Sequence, residues 1–126
     1  MDKRSIFIDN KAKIGKNVII YENNRIDGNC VIEDNVTIYP NCFITNSVVG
    51  KGTKIYSSVV FGSKIGKCSS VGPFCNLKKT IIQEHVKVGS FCELKNINVD
   101  SGKVVLSGTI LQNNWKSCDS FTKKGR

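Results

Sequence analysis

Two stretches of the sequence, VGPFCNLKK at residues 71–79 and VGSFCELKN at residues 88–96, are almost the same. Six of their nine positions are identical, and the second stretch begins 17 residues after the first. A near copy at a fixed offset is typical of repeat proteins, in which each structural unit stacks on the previous one. The offset therefore predicts that the two stretches lie one above the other in consecutive coils of a solenoid.

Branched apolar residues extend this pattern over most of the chain. They recur every six positions from Ile8 to Ile44 and continue, with one-residue slips, from Val49 to Val99. A period of six fits neither an amphipathic helix nor a long alternating strand, but it fits one short strand followed by a bend. Three such bends close a triangle. Small residues four positions later are predicted to point inward at the corners: Cys30, Cys42, Val59, Cys75 and Cys92. Glycines that directly follow apolar positions, such as Gly50 and Gly66, are predicted to serve tight bends.

The pattern thus predicts an all-β fold, a parallel β-helix of hexapeptide repeats with about five to six triangular coils. The β-helix is expected over residues 1–111, with a regular repeat to about residue 96. Residues 112–126 are expected to form a C-terminal cap and a basic tail, with Trp115 or Phe121 covering the last coil. The hand of the helix does not follow from the pattern, since parallel crossovers are usually right-handed.

Charge and composition restrict the partners. The formal net charge is +9, and almost all of the positive charge is lysine, scattered along the chain. Nucleic-acid readers usually depend on arginine or on stacking aromatic residues, so nucleic acid is an unlikely partner. A solvated lysine surface is favoured, followed by an anionic small molecule. The sequence shows neither a membrane span nor a signal peptide, so a cytoplasmic location is expected.

The six cysteines do not indicate a metal site. There is no C-x-x-C pair and only one histidine, so no metal is expected. The inward cysteines, including Cys75 and Cys92, are interpreted as reduced core thiols, whose replacement by serine is expected to leave a polar group without a partner. Cys68 and Cys118 are expected to be more exposed.

Lys78 and Lys95 are the first candidate binding residues. They follow Leu77 and Leu94, which lie one predicted coil apart, so the two lysines should project side by side from adjacent strands. Like charges opposed in this way are destabilising, and an anion between them would relieve the repulsion. The alternative is that both flexible side chains extend into solvent.

The repeated stretch resembles the acetyltransferase domain of the bifunctional N-acetylglucosamine-1-phosphate uridyltransferase/glucosamine-1-phosphate acetyltransferase, a hexapeptide-repeat family. That family has a similar Gly-Pro-Phe-x-x-Leu-Arg-Pro-Gly stretch and, one coil later, Gly-Asn-Phe-x-Glu-x-Lys-Asn. The resemblance implies a left-handed β-helix, a homotrimer and a role in nucleotide-sugar biosynthesis. It also implies that Lys78 and Lys95 stand where the family holds the phosphate of an amino sugar. The outward apolar residues that a trimer would cover are Ile19, Phe43, Val48 and Phe61.

The sequence departs from the family at the catalytic stretch. The family's next coil carries a histidine that acts as general base, whereas residues 102–114 read GKVVLSGTILQNN. The coils that bind acetyl-coenzyme A and the uridyltransferase domain are also expected to be absent. His85, the one histidine, is either a surface turn residue or a substitute base, and acetyl-coenzyme A is expected as a cofactor only if the chain is catalytic.

Three readings of function stay open. The first is a shortened, standalone relative of the acetyltransferase domain that binds a phosphorylated amino sugar without the standard catalytic residues. The second is a structural β-helix that serves as a scaffold. The third is an active sugar-phosphate acyltransferase that uses His85.

Overall fold

The computed structural model describes residues 5–112 and, for the backbone alone, the strand Thr122–Lys124. No helix within this part of the chain is long and apolar enough to cross a membrane. The expectations for Trp115, Phe121 and Cys118 fall outside the described residues.

The described residues form short strands separated by turns. In chain order these are β1 (Ile6–Ile8), β2 (Lys13–Ile14), β3 (Ile19–Ile20), β4 (Asn24–Asp27), β5 (Val31–Ile32), β6 (Thr37–Ile38), β7 (Phe43–Thr45), β8 (Val48–Val49), β9 (Lys54–Ile55), β10 (Val59–Phe61), β11 (Lys64–Ile65), β12 (Ser70–Val71), β13 (Asn76–Lys78), β14 (Ile81–Ile82), β15 (Lys87–Val88), β16 (Glu93–Lys95), β17 (Asn98–Val99), β18 (Lys103–Val105), β19 (Ile110–Gln112) and β20 (Thr122–Lys124).

The chain visits three sheets in turn. Sheet A contains β1, β4, β7, β10, β13, β16 and β19, and sheet B contains β2, β5, β8, β11, β14 and β17. Sheet C contains β3, β6, β9, β12, β15 and β18, and β20 pairs with β18 in the antiparallel direction. All other pairings are parallel, so each return to sheet A adds one coil. The result is a left-handed parallel β-helix of about six turns, as predicted. Coils are numbered here from β1, and the edges of the prism are called the A–B, B–C and C–A corners.

The core follows the predicted apolar column. Ile26, Ile44 and Leu77 are fully buried on sheet A, and the other branched apolar residues of the column from Ile32 to Val99 are also buried. In the first coil, by contrast, Ile8 and Ile14 remain about 40% exposed. Their strands have a hydrogen-bonded neighbour on only one side within the described residues, so this end of the core is open.

One predicted inward position is wrong. Val59 is exposed and Ser58 is buried. The step from Ile55 to Val60 is one residue shorter than the regular hexad, so the inward corner residue lies one position earlier than predicted. The sequence pattern located the shortened step, but the predicted corner was counted four residues after Ile55, as in a regular hexad.

Corner hydroxyls replace missing backbone hydrogen bonds. At the A–B corner the N–H of Ser63 donates to Ser47 Oγ at 3.0 Å, and the N–H of Thr80 donates to Ser63 Oγ at 3.1 Å. The Ser63 hydroxyl in turn donates to the carbonyl of Phe61 at 2.9 Å. Such ladders leave no buried side-chain nitrogen or oxygen of the described residues without a partner. The small inward slot is therefore selected for hydrogen bonding as well as for size.

The glycines serve a different purpose from the one predicted. Gly50 and Gly66 are not among the residues with positive φ. A Cβ on Gly66 would lie 2.6 Å from the carbonyl oxygen of Gln83 in the next coil, so glycine is required by the close approach of two coils. The left-handed conformation occurs instead at the corner residues, for example Asn35 and Asn46.

Candidate functional site

The two lysines of the repeated stretch lie side by side on sheet A. Lys78 in β13 pairs in register with Lys95 in β16, and both side chains are exposed. Below Lys78 the same outward column continues with Phe61, and the Lys78 ammonium lies 5.7 Å from the centre of that ring. The predicted juxtaposition is confirmed. The structure gives neither ammonium a carboxylate partner among the described residues.

Asn76 and Glu93 complete this surface and were missed by the sequence reasoning. They pair in register on the same two strands and also point outward. Alternation along a strand would have found them, because residues two positions apart share a face. With the two lysines and the next strand they border a groove of 130 Å³. The groove has two ammonium groups at one side and an amide and a carboxylate at the other.

A further lysine lies at the adjoining A–B corner. Lys79 has φ of +50°, and its N–H donates to the carbonyl of Phe61 at 2.9 Å. The equivalent corner residues in other coils are Gly28, Asn46, Gly62 and Asn96, types that adopt positive φ readily. Lys79 is the exception in this column. Its Cγ lies 3.8 Å from the position that a Cβ on Gly62 would take, so its side chain passes over the coil below.

Two phenylalanines border the opposite side of sheet A. Phe74 and Phe91 occupy the C–A corner in consecutive coils, both with positive φ, and they are 61% and 64% exposed. Their ring centres lie 5.2 Å apart in a stacked arrangement. A cavity of 510 Å³ begins beside them and is lined by Ser57, Val59, Asn76 and Glu93 among others. Asn76 and Glu93 border both this cavity and the lysine groove.

His85 lies elsewhere in the molecule. It is an exposed residue of the B–C corner with φ of +57°, and its N–H donates to the carbonyl of Lys67 at 3.0 Å. Lys78 and Lys95 are on sheet A, the face opposite that corner. The structure therefore does not bring the candidate base together with the candidate phosphate-binding residues within one chain.

The lining of the sheet A groove can bind a polar ligand through ammonium, amide and carboxylate groups. Glu93 is the one carboxylate among these lining residues and could also act as a base, whereas no histidine, serine or cysteine lies among them. Within the described residues no three histidine, cysteine, aspartate or glutamate side chains converge as metal ligands. The stretch expected to carry the family's base contributes β18 and β19, which hold lysine, valine, isoleucine, leucine and glutamine.

Sequence comparison places the chain among known proteins. Residues 3–118 match the family described as the GMPPB C-terminal domain. The bifunctional protein GlmU of Pelotomaculum thermopropionicum is 43% identical over 106 residues, and GlmU of Clostridium perfringens is 50% identical over the same length. Each match covers 83% of this chain but only 23% of the relative. The chain thus spans about a quarter of the length of these relatives, and the predicted resemblance to the bifunctional enzyme is confirmed.

Solved structures show the same fold. The acetyltransferase domain of PglB from Neisseria gonorrhoeae superposes with a TM-score of 0.67 at 14% identity, covering 87% of this chain and 52% of that one. The UDP-N-acetylglucosamine acyltransferase from Campylobacter jejuni gives 0.59 at 15% identity, covering 89% and 62%. At these low sequence identities, the superpositions show a shared architecture and nothing more. On the extent of the sequence match, the chain belongs to the GMPPB C-terminal domain family.

Proposed function

We propose that this chain binds a phosphorylated amino sugar on sheet A, as a homotrimeric relative of the acetyltransferase domain. The observation that carries the proposal is the in-register pair of Lys78 and Lys95. The resemblance of the repeated stretch assigns the phosphate to these two positions. The match to relatives named bifunctional protein GlmU, of whose length this chain spans about a quarter, supports the resemblance on which this assignment depends.

Electrostatics favours an anion at this place. Two ammonium groups on neighbouring strands repel each other, and no carboxylate of the described residues pairs with either one. A phosphate of charge about −1.5 to −2 would neutralise the pair and accept a hydrogen bond from each lysine. Glu93 and Asn76, on the same face, are placed to bind the amine and the hydroxyl groups of the sugar.

Binding without catalysis is the preferred reading over an active acyltransferase. The groove has no histidine, and His85 lies at the corner opposite sheet A. Catalysis would need Glu93 or His85 of a neighbouring subunit as general base, together with a bound acetyl-coenzyme A. The protein is expected to act in nucleotide-sugar biosynthesis in the cytoplasm. A structural scaffold is the remaining alternative, and it predicts no ligand binding at all.

Calorimetric titration with glucosamine 1-phosphate tests the proposal. Binding should weaken as salt is raised, because the contact is largely Coulombic. Lys78→Ala and Lys95→Ala should each weaken it roughly tenfold or more, since a hydrogen bond to a charged group contributes about 1.5–3 kcal/mol.

The pair Lys54→Ala and Lys87→Ala is the matched control. Both residues are exposed lysines at the start of sheet C strands, but Ser70 of the coil between them separates them. The double variant removes the same charge from another face and should leave binding unchanged. Equal losses in this control and in the Lys78→Ala, Lys95→Ala double variant would reduce the effect to net charge and contradict the assigned site.

A further inference from the structure

The two ends of the sheet A surface differ in chemistry. Phe74 and Phe91 border it at the C–A corner, and Lys78, Lys95 and Lys79 border it at the A–B side. Asn76 and Glu93 lie between them and line both cavities, so the two cavities adjoin at these side chains. A ligand that spans both should carry a planar apolar group at one end and negative charge at the other.

The phenylalanine stack has room for another ring. Above Phe91 the corner residue is Gly108, and nothing lies within 4 Å of the position of its missing Cβ. Below Phe74 the corner residue is Ser57, whose hydroxyl donates to the carbonyl of Pro40 at 2.8 Å. The 510 Å³ cavity is lined by Phe74 and Phe91 and extends down to the shorter side chains Ser57 and Asn41. A planar ring that enters beside Ser57 would stack beneath Phe74.

The backbone of the phenylalanines is also unusual for aromatic residues. Other residues of the column with positive φ include Asn23, Asn41 and Gly108, which tolerate that conformation, whereas two large aromatic residues do not favour it. Positive φ is common at the corners of this fold, as Ser57 and His85 show, so it does not by itself mark a site. The exposure of the two rings is the informative feature, because large aromatic side chains that the core does not use are available to bind a ligand.

The cationic end can hold more than one phosphate. Lys78 lies over Phe61, and Lys79 passes over Gly62, so both side chains lean toward coil 4. Lys64 begins the sheet B strand of that coil and is exposed. Lys64, Lys78 and Lys79 thus lie in coils 4 and 5 at or beside the A–B corner, with Lys95 one coil above. This charge exceeds what a single phosphomonoester neutralises.

We infer that the sheet A groove is a nucleoside diphosphate site, with the base beneath Phe74, the ribose at Asn76 and Glu93, and the diphosphate at Lys78 and Lys79. Successive outward positions on a strand are about 7 Å apart, which matches the step from a ribose to its phosphates. A carboxylate is a common partner of ribose hydroxyl groups. The inference rests on the proposed function, because the same face holds the phosphate, and it extends the ligand class from a sugar phosphate to a nucleoside diphosphate.

Titration with uridine and adenosine diphosphates, inorganic pyrophosphate and glucosamine 1-phosphate tests this inference. Both nucleotides should bind at least tenfold more tightly than pyrophosphate, although pyrophosphate carries no less charge, because base stacking on an aromatic ring adds affinity. Phe74→Asn should remove this advantage and leave pyrophosphate binding unchanged. Lys79→Asn should weaken all diphosphates, and both replacements suit a corner with positive φ.

Phe7→Asn is the matched control, since Phe7 is an exposed aromatic residue of sheet A in the first coil. It should not change nucleotide affinity. Nucleotides that bind no better than pyrophosphate, or a Phe74→Asn protein with a changed oligomer mass by light scattering, would overturn the inference and leave the phosphate site intact. Absence of binding by all four ligands, glucosamine 1-phosphate included, would remove the proposed function as well.

Discussion

The hydroxyl of Ser58 accepts the backbone N–H of Cys75, at 3.2 Å, across two neighbouring coils. The same hydroxyl donates to the carbonyl of Gly72 at 2.8 Å. Cys75 repeats the arrangement one coil higher, where its thiol lies 2.9 Å from the carbonyl of Gly89. Serine and cysteine thus occupy equivalent places in one ladder of the C–A corner.

This ladder changes the expectation for cysteine replacement. A serine at Cys75 would find the Gly89 carbonyl already in place, so the expected loss of a partner is wrong. Cys75→Ser should change the free energy of unfolding by less than about 1 kcal/mol. Ser58→Ala should cost about 1–3 kcal/mol, because it leaves the Cys75 N–H buried without an acceptor. Urea unfolding of the two variants measures both values, and a larger loss for Cys75→Ser would contradict the ladder.

Gly50 and Gly52, two residues apart, differ in the space that a side chain would find. A Cβ on Gly50 would lie 2.6 Å from the backbone nitrogen of Lys67, and neither coil can move without breaking its neighbours' hydrogen bonds. Gly50→Ala should lower stability by about 1–3 kcal/mol or more. Gly52 has φ of +75°, and a Cβ there would meet only Cys68 Sγ, at an ordinary contact distance of 3.6 Å. Gly52→Asn should be nearly neutral when the two variants are compared by thermal unfolding, since Asn35 fills the equivalent corner.

Sequence reasoning reached the fold because a strict apolar period leaves few alternatives. The column from Ile26 to Val99 and the register of Lys78 with Lys95 both follow from counting. The corners were harder, since a shortened step moves the inward position from Val59 to Ser58. The aromatic and carboxylate residues that border the groove were not predicted, because exposed residues such as Phe74 and Glu93 carry no periodic signal. Their place in a candidate site depends on the cavity that neighbouring coils form.

The thiols should divide into two classes. Cys68 is exposed, whereas Cys30, Cys42, Cys75 and Cys92 are buried and free. Burial raises the pKa of the Cys30 and Cys42 thiols, and the contact with Cys92, with burial, raises the pKa of Cys75. In a Cys118→Ser background, one thiol per chain should react quickly with a maleimide. Cys68→Ser should abolish that fast phase, and reductant should leave the melting temperature unchanged.

The raised pKa values also set a pH dependence. Above the ordinary thiol pKa of about 9.0, the unfolded chain loses thiol protons that the folded chain keeps. The folded state then binds more protons, so stability should fall as pH rises through this range. Cys30→Ser combined with Cys42→Ser should flatten that fall in denaturant titrations at a series of pH values. An unchanged slope would mean that the lysines dominate alkaline unfolding.

The proposed trimer predicts a native mass of three times the 13.9 kDa chain. The apolar residues expected to form its contacts do not share one face: Phe43 and Phe61 are on sheet A, Val48 on sheet B and Ile19 on sheet C. A three-fold assembly can bury two faces of each prism, so all of these residues need not be covered. Phe43→Ser should weaken assembly in light scattering at micromolar concentration. A monomer mass for the unmodified protein would exclude the trimer.

Acetyl transfer is expected to be absent. His85 lies opposite sheet A in the same chain, and the groove holds no histidine, so acetylation of glucosamine 1-phosphate by acetyl-coenzyme A should not be detectable. A turnover in the ordinary enzymatic range, about 1–1000 per second, would instead implicate Glu93 or a neighbouring subunit's histidine as the base. His85→Asn then decides the matter, because asparagine suits this corner, as Asn17 and Asn35 show. Loss of turnover with unchanged phosphosugar affinity and unchanged melting temperature would assign His85 as the general base. Retained turnover would leave it a surface turn residue.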